Sequence, residues 1–267
     1  MTLEKTVLNG ANGGRAEIYR HGAHVVSWLD SSGDERLFLS GLSEFRPGAA
    51  IRGGIPVIFP QFSTLGPLPK HGFARTSEWE RLSPEIYRLS DTAATRAIWP
   101  HPFTAELRVR VGGDTLDVRL SVHNTGQEEF SFTAALHTYV RVNDVAEVRV
   151  HGLARSRYRD TASGGVQRVQ RHGQLSVVGE VDRVYLQVDG PVEVHEAGRV
   201  TRSTMTGFRD VVIWNPGPSA TLADMDPGGF QRMVCVEAAM IGAPVRLVAS
   251  EGWTGSQTLT TRATNGS

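Results

Sequence analysis

Apolar and polar residues alternate with a period of two along much of this chain, the spacing that puts every second side chain on one face of a β-strand. In "ELRVRVGGDTLDVRLSVHNTG", Leu107, Val109 and Val111 alternate with charged residues, and Leu116, Val118, Leu120 and Val122 resume the pattern after Gly112-Gly113-Asp114. This predicts a hairpin with one buried face. The same logic predicts a second hairpin in "RVYLQVDGPVEVHEAGRV", with Val184, Leu186 and Val188 before a turn at Asp189-Gly190 and with Val192 and Val194 after it. Near the amino end, "GRAEIYRHGAHVVSWLDSSGDERLFLS" predicts short segments separated by turns at His21-Gly22 and Ser32-Gly33-Asp34. No stretch carries a convincing apolar stripe at helical period over three turns. Repeated antiparallel hairpins predict an all-β fold, a large sandwich or barrel whose curved sheets bury alternate faces and leave room for a cleft on one of them.

The 29 glycines and 13 prolines are spread along the 267 residues and mark no linker, so one domain spanning residues 1–267 is expected. Hydrophobic residues at 40% and charged residues at 21% are ordinary for a soluble protein. Lys and Arg together number 28 and so do Asp and Glu, a balance that argues against a nucleic-acid or membrane partner recognised by bulk charge. Cys235 is the single cysteine, which excludes an intrachain disulfide and a Cys-rich zinc site. The amino end "MTLEKTVLNG" lacks a long apolar run, and nowhere do about 18 apolar residues follow one another, so a cytoplasmic location is expected. Asn265-Gly266-Ser267 formally matches a glycosylation acceptor but lacks a secretion signal to accompany it.

Walker A, G-x-G-x-x-G, H-E-x-x-H and G-x-S-x-G patterns are all absent. What stands out is the stretch "IRGGIPVIFPQFSTLGPLPKHGFARTSEWE", residues 51 to 80, which gathers four prolines, a Gly-Gly pair, Arg52, Lys70, His71 and Arg75. One reading is a proline-stiffened loop covering an end of the sandwich. The other starts from Arg52, Lys70 and Arg75, which have no obvious acidic partners nearby in sequence and suit an anionic group such as phosphate.

Two ionisable residues lie in apolar strand-like runs. His137 in "FSFTAALHTYVRV" is either a satisfied core histidine or a proton exchanger near neutral pH. Glu237 in "RMVCVEAAM" shares a face with Cys235 and Ala239, so it is either an outward, solvated carboxylate or a buried one that needs a partner.

The ordered set "IRGGIPVIFPQF", "LPKHGFAR", "LHTYVRV", "DRVY", "WNPG", "RMVCVEA" and "GWTGSQTL" resembles the glucose-6-phosphate 1-epimerase family, also called hexose-6-phosphate mutarotases, within the aldose 1-epimerase superfamily. The matches run in family order from Ile51 to Leu259. The resemblance implies a galactose-mutarotase-like β-supersandwich, in agreement with the alternation pattern. It also implies roles: His137 of "LHTY" as general acid and Glu237 of "CVEA" as general base, with His71 of "KHGFAR" and Asp182 of "DRVY" binding the sugar. Arg52 and Arg75 match positions associated with the phosphate, with Lys70 as a helper. Gln61 stands beside these groups either as a ligand or as a structural amide, and Trp214 either stacks on a sugar or packs in the core or rim.

The implied reaction opens and recloses a cyclic aldose. The base takes the proton of the C1 hydroxyl while the acid protonates the ring oxygen, rotation about C1–C2 exposes the other carbonyl face, and reclosure reverses both transfers. Neither a metal nor a cofactor is called for, and a carboxylate near His137 is expected to favour its protonated form. A monomer acting on a small-molecule sugar phosphate is expected. An epimerase of free sugars and a non-catalytic carbohydrate-binding module are the alternatives on the same fold.

Overall fold

The computed structural model describes residues 3–264; Asn265-Gly266-Ser267 lies outside the described residues. Two large antiparallel sheets make up most of the molecule, and a three-stranded sheet, Lys5–Asn9, Arg15–Tyr19 and His24–Leu29, adds to one end of the core. The first large sheet runs Val166–Val169, Arg157–Asp160, Val181–Leu186, Asp210–Asn215, Met233–Leu247, Phe130–Leu136 and Val57–Ile58, with Tyr139–Arg141 also paired to Met233–Leu247. The second runs Gln174–Ser176, Arg149–His151, Val192–Glu196, Arg199–Thr206, Gly252–Ala263, Thr115–Asn124, Phe103–Val111, Ile86–Ser90 and Glu80–Ser83. The only α-helix among the described residues is the single turn and a half at Ala93–Ile98. Among the described residues, no helix is long and apolar enough to cross a membrane.

The first predicted hairpin forms as read: Phe103–Val111 pairs with Thr115–Asn124, and Val111 faces Leu116 across the turn. Leu107, Val109, Leu116, Val118, Leu120 and Val122 all point into the core. The core fills the space between the large sheets, where Val211, Ile213, Val234 and Val236 of the first meet Val150, Val192 and Val194 of the second. Fully burying each such side chain is worth roughly 1.5–3 kcal/mol, so the alternation itself is the main determinant of the architecture.

The second predicted hairpin does not form. Val181–Leu186 belongs to the first sheet and Val192–Glu196 to the second, where it pairs with Arg149–His151 and Arg199–Thr206. The chain changes sheet at Gln187, whose φ of 52° is in the left-handed region. The buried Asp210 carboxylate fixes this bend by accepting the Gln187 N–H at 3.1 Å, and also accepts the Ile241 and Gly242 N–H groups at 2.7 Å each. Val194 is buried between the sheets as read, but Val184 lies on the other face of the first sheet while its neighbour Tyr185 packs between the sheets. Alternation reports only which residues share a face and chooses neither that face's surroundings nor the partner strand.

The residue 51–80 segment is more than an end cover. Val57–Ile58 completes the edge of the first sheet against Leu136 and Ala135, and Ile55, Val57 and Phe59 are core residues. Gly53 and Gly54 sit at φ 116° and 61°, and a Cβ on either would come within 2.3 Å of the Phe38 or 2.2 Å of the Val25 carbonyl oxygen. Only glycine lets the chain pass between these backbones.

Candidate active site

Strand register builds the site. Leu136 faces Ala238 and Tyr139 faces Cys235, so His137 lies directly opposite Glu237 on the neighbouring chain segment. Val212 faces Glu237 and Val184 faces Val212, which completes one row of side chains across the sheet. The adjacent row is Asp182, Trp214, Cys235 and Tyr139. Both rows lie on the face turned away from the second sheet, because the intervening Val234, Val236 and Ala238 point into the inter-sheet core.

Glu237 therefore faces outward, yet it is only 1% exposed. The 51–80 segment covers it. After the edge strand, the chain folds back over this face and is clamped where Ser63 N donates to His71 Nδ1 at 3.2 Å and His71 N donates to the Ser63 carbonyl at 2.9 Å. Ser63 and His71 take φ values of 49° and 68°, conformations that non-glycine residues hold only under surrounding constraint. Gly72 follows at φ 67°, and a Cβ there would lie 2.2 Å from the Phe59 carbonyl oxygen.

The cleft that results is lined by Arg52, Phe62, Ser63, Lys70, His71, His137, Asp182, Val212, Trp214 and Glu237. Six of the seven residues singled out in the sequence thus converge. Arg75 does not line the cleft; its Nη2 donates to the Lys70 carbonyl at 3.1 Å and its Nε is buried without a hydrogen-bond partner among the described residues. Among the described residues, no three His, Cys, Asp or Glu side chains stand together as a metal site.

His137 Nε2 lies 3.4 Å from Glu237 Oε1, while His137 Nδ1 and Glu237 Oε2 have no hydrogen-bond partner among the described residues. Two buried polar atoms left open at the floor of a cleft are sites where a ligand gains hydrogen bonds at little further desolvation cost. Burial, with a smaller push from Asp182, holds the Glu237 carboxyl well above the usual carboxylate range. Burial also holds His137 well below its ordinary value, helped by the nearby His71, Arg52 and Arg75. Burial therefore biases the pair toward a protonated Glu237 and a neutral His137. This reverses the expectation that a neighbouring carboxylate keeps His137 protonated, because desolvation of a closely packed pair outweighs its mutual attraction.

His71 is pushed down to about 3, first by burial and then by Arg75, Lys70 and Arg52. With Nδ1 accepting from Ser63, the neutral ring carries its proton on Nε2 and offers it as a donor. Asp182 is raised by burial and by Glu180.

The cations differ from the sequence reading in one respect. Arg52 does have an acidic partner: Asp224, distant in sequence, takes Nε at 3.2 Å and Nη2 at 3.1 Å. Arg52 Nη1 donates to the Tyr139 hydroxyl at 2.9 Å, and the guanidinium lies 6.0 Å from the centre of the Trp214 ring. Trp214 is accordingly a cleft residue, edge-on to His137 at 6.0 Å. Gln61 is a structural amide that bonds Ser63 O and both the N–H and C=O of Leu68, bracing the covering loop. Tyr139, Asp224, Phe62 and Ser63 are the site residues that sequence reading missed; Tyr139 stands in "LHTY" and Phe62 ends "IRGGIPVIFPQF", while Asp224 and Ser63 lie in none of the quoted motifs.

Residues 4–260 match the family model described as aldose 1-epimerase. A relative from Cenchrus ciliaris, provisionally named a glucose-6-phosphate 1-epimerase, is 39% identical over 95% of this chain and 83% of its own length. A second from Salmonella typhimurium, with the same provisional name, is 35% identical over 86% of this chain and 81% of its own. The crystal structure of a provisionally named mutarotase from Salmonella typhimurium superimposes with a TM-score of 0.89 at 32% identity, covering 98% of this chain and 92% of that one. The fold is thus the mutarotase β-supersandwich that the motifs implied, and the chain belongs to the aldose 1-epimerase family.

Proposed function

We propose that this protein is a hexose-6-phosphate mutarotase that interconverts the α and β anomers of glucose 6-phosphate and related sugar phosphates. The observation that carries this reading is one cleft in which His137 and Glu237 face each other at 3.4 Å and which Arg52 and Lys70 also line. The names of the relatives point the same way.

The sugar ring sits over the His137–Glu237 pair, with C1 bringing its hydroxyl to one group and the ring oxygen to the other. Glu237 removes the hydroxyl proton and His137 protonates the ring oxygen as the C1–O5 bond breaks, so that neither oxygen builds a full charge. Rotation about C1–C2 and the reverse transfers deliver the other anomer. Passing the Glu237 proton to His137 converts the neutral pair into the base and acid that the reaction needs, with no exchange with solvent. An arriving phosphate supports that shift by offsetting the positive charge of Arg52 and Arg75, which disfavours a protonated His137. The His71 Nε2–H and Asp182 hold sugar oxygens, Lys70 and Arg52 attract and orient the phosphate, and Arg75, outside the lining, adds positive charge. All these groups come from one chain, consistent with a monomer.

The test is α-to-β exchange of glucose 6-phosphate followed by saturation-transfer NMR, with spontaneous anomerisation as the blank. Acceleration by the parent that Glu237→Gln abolishes supports the reading. Acceleration of free glucose alone, or of neither sugar, overturns it.

A further inference from the structure

We propose that Tyr139 is a positioning residue that couples Arg52 to the His137 ring, so that occupation of the phosphate end of the cleft is transmitted to the proton-transferring end. The inference rests on the reading of Arg52 as a phosphate contact.

Tyr139 touches both ends of the cleft while contributing nothing to its lining. Its hydroxyl accepts from Arg52 Nη1 at 2.9 Å. Its ring lies nearly parallel to that of His137, with centroids 4.9 Å apart and planes 13° from one another. The two side chains are two residues apart on one face of the sheet, so the stack follows from register. Trp214 closes the arrangement, edge-on to Tyr139 at 6.0 Å and edge-on to His137 at 6.0 Å, with the Arg52 guanidinium also 6.0 Å from the centre of its ring. Phe38 packs on Tyr139 at 6.4 Å.

These contacts leave the Tyr139 ring little freedom. It is 2% exposed, so tilting it independently would open a void in a packed cluster. Arg52 itself is held at a second edge by Asp224. A phosphate that draws on the Arg52 guanidinium must share it with Asp224 and Tyr139, and any displacement of the guanidinium pulls on the phenol oxygen and through it on the ring stacked against His137. The Arg52 charge also reaches His137 through space, disfavouring a protonated ring, and Trp214 touches both without a hydrogen bond to either. Tyr139 alone joins a hydrogen bond from Arg52 to a ring stacked on His137.

Two substitutions separate the parts. Tyr139→Phe keeps the stack and deletes the bond to Arg52; Tyr139→Leu deletes both. Removing a hydrogen bond to a charged group lowers kcat/KM for glucose 6-phosphate by about tenfold in Tyr139→Phe, against less than about threefold for free glucose. Tyr139→Leu lowers kcat for both sugars. If Tyr139→Phe slows the two sugars equally, or neither, the proposal fails, since a purely structural tyrosine does not distinguish them.

A measurement independent of turnover uses the imidazole ¹⁵N resonances of His137, titrated with inorganic phosphate. The parent signal shifts on saturation, and in Tyr139→Phe that shift is at least halved. An equal shift in both proteins overturns the coupling while leaving the phosphate site standing. No shift in the parent overturns the coupling and the phosphate reading together.

Discussion

The Gln257 side chain accepts the Thr138 hydroxyl at 2.6 Å, a contact between the two large sheets directly beneath the cleft. Its amide nitrogen donates to the Val236 carbonyl and to the Ser203 hydroxyl, each at 2.9 Å. Thr138 follows His137 and Val236 precedes Glu237, and the two are themselves joined, Val236 N to Thr138 O at 3.0 Å. Gln257 is 1% exposed, and a buried amide in an apolar layer is tolerated when its donors and acceptor are satisfied. It fixes the backbone that carries both reacting groups from the side opposite the substrate.

Gln257→Leu is therefore expected to lower stability by about 1–3 kcal/mol and kcat by about tenfold, because Thr138 and Val236 lose a buried partner. Chemical denaturation and anomer-exchange rates measure the two effects separately. Parental kcat in a destabilised protein would show that the amide only holds the sheets together.

Glu237→Gln and His137→Asn each remove one proton-transfer group and are expected to slow exchange by about 10²- to 10⁴-fold, or about 3–5 kcal/mol of barrier. Stability should respond in the opposite sense for Glu237→Gln. The carboxyl is buried with Oε2 unpartnered, so the isosteric amide leaves the fold at least as stable as the parent. A denaturation midpoint that drops in Glu237→Gln would contradict this account of a desolvated carboxyl.

The three cations are expected to act unequally. Lys70 is an exposed cleft residue with no ion pair among the described residues, whereas Arg52 is partly neutralised by Asp224. Lys70→Ala should raise KM for glucose 6-phosphate several-fold with an effect that fades at high salt. Arg52→Ala and Arg75→Ala should weaken glucose 6-phosphate more than glucose. Titration of each variant with both sugars at low and high ionic strength checks the order; identical behaviour of all three with both sugars would remove the phosphate from this end of the cleft.

Acid should destabilise the protein through His71, whose native value near 3 lies below its ordinary 6.5. A depressed value means that the unfolded chain binds the proton first. The stability that the neutral ring confers is complete above pH 6.5 and is lost as pH falls from there toward 3. Between pH 7 and pH 5 this amounts to about 2 kcal/mol at 1.36 kcal/mol per unit. His24, pushed down to about 4 chiefly by burial, adds a loss of the same sign. Urea midpoints at the two pH values should differ less in His71→Asn than in the parent, and an unchanged difference would mean that His71 titrates normally.

Alternation along the chain was enough to read the strands, the buried faces and the all-β class, because each depends on a period that repeats within a few residues. The Phe103–Asn124 hairpin is legible for the same reason: its partners are neighbours in sequence. Family order in "RGG", "KHGFAR", "LHTY", "DRVY" and "CVEA" picked out Arg52, Lys70, His71, His137, Asp182 and Glu237 of the cleft lining, though also Arg75, which stands outside it. The steric demands at Gly53, Gly54 and Gly72 account for the glycines in the first two. Pairing between distant segments was not legible. Asp210 sends the chain from one sheet to the other at Gln187, Asp224 reaches Arg52 across 172 positions, and Gln257 reaches Thr138 across 119. The protonation states of His137 and Glu237 belong to the same class, since they follow from how much water the packed cleft excludes. Local periodicity specifies which side chains turn inward; only the closed tertiary structure decides what they meet there and in what dielectric.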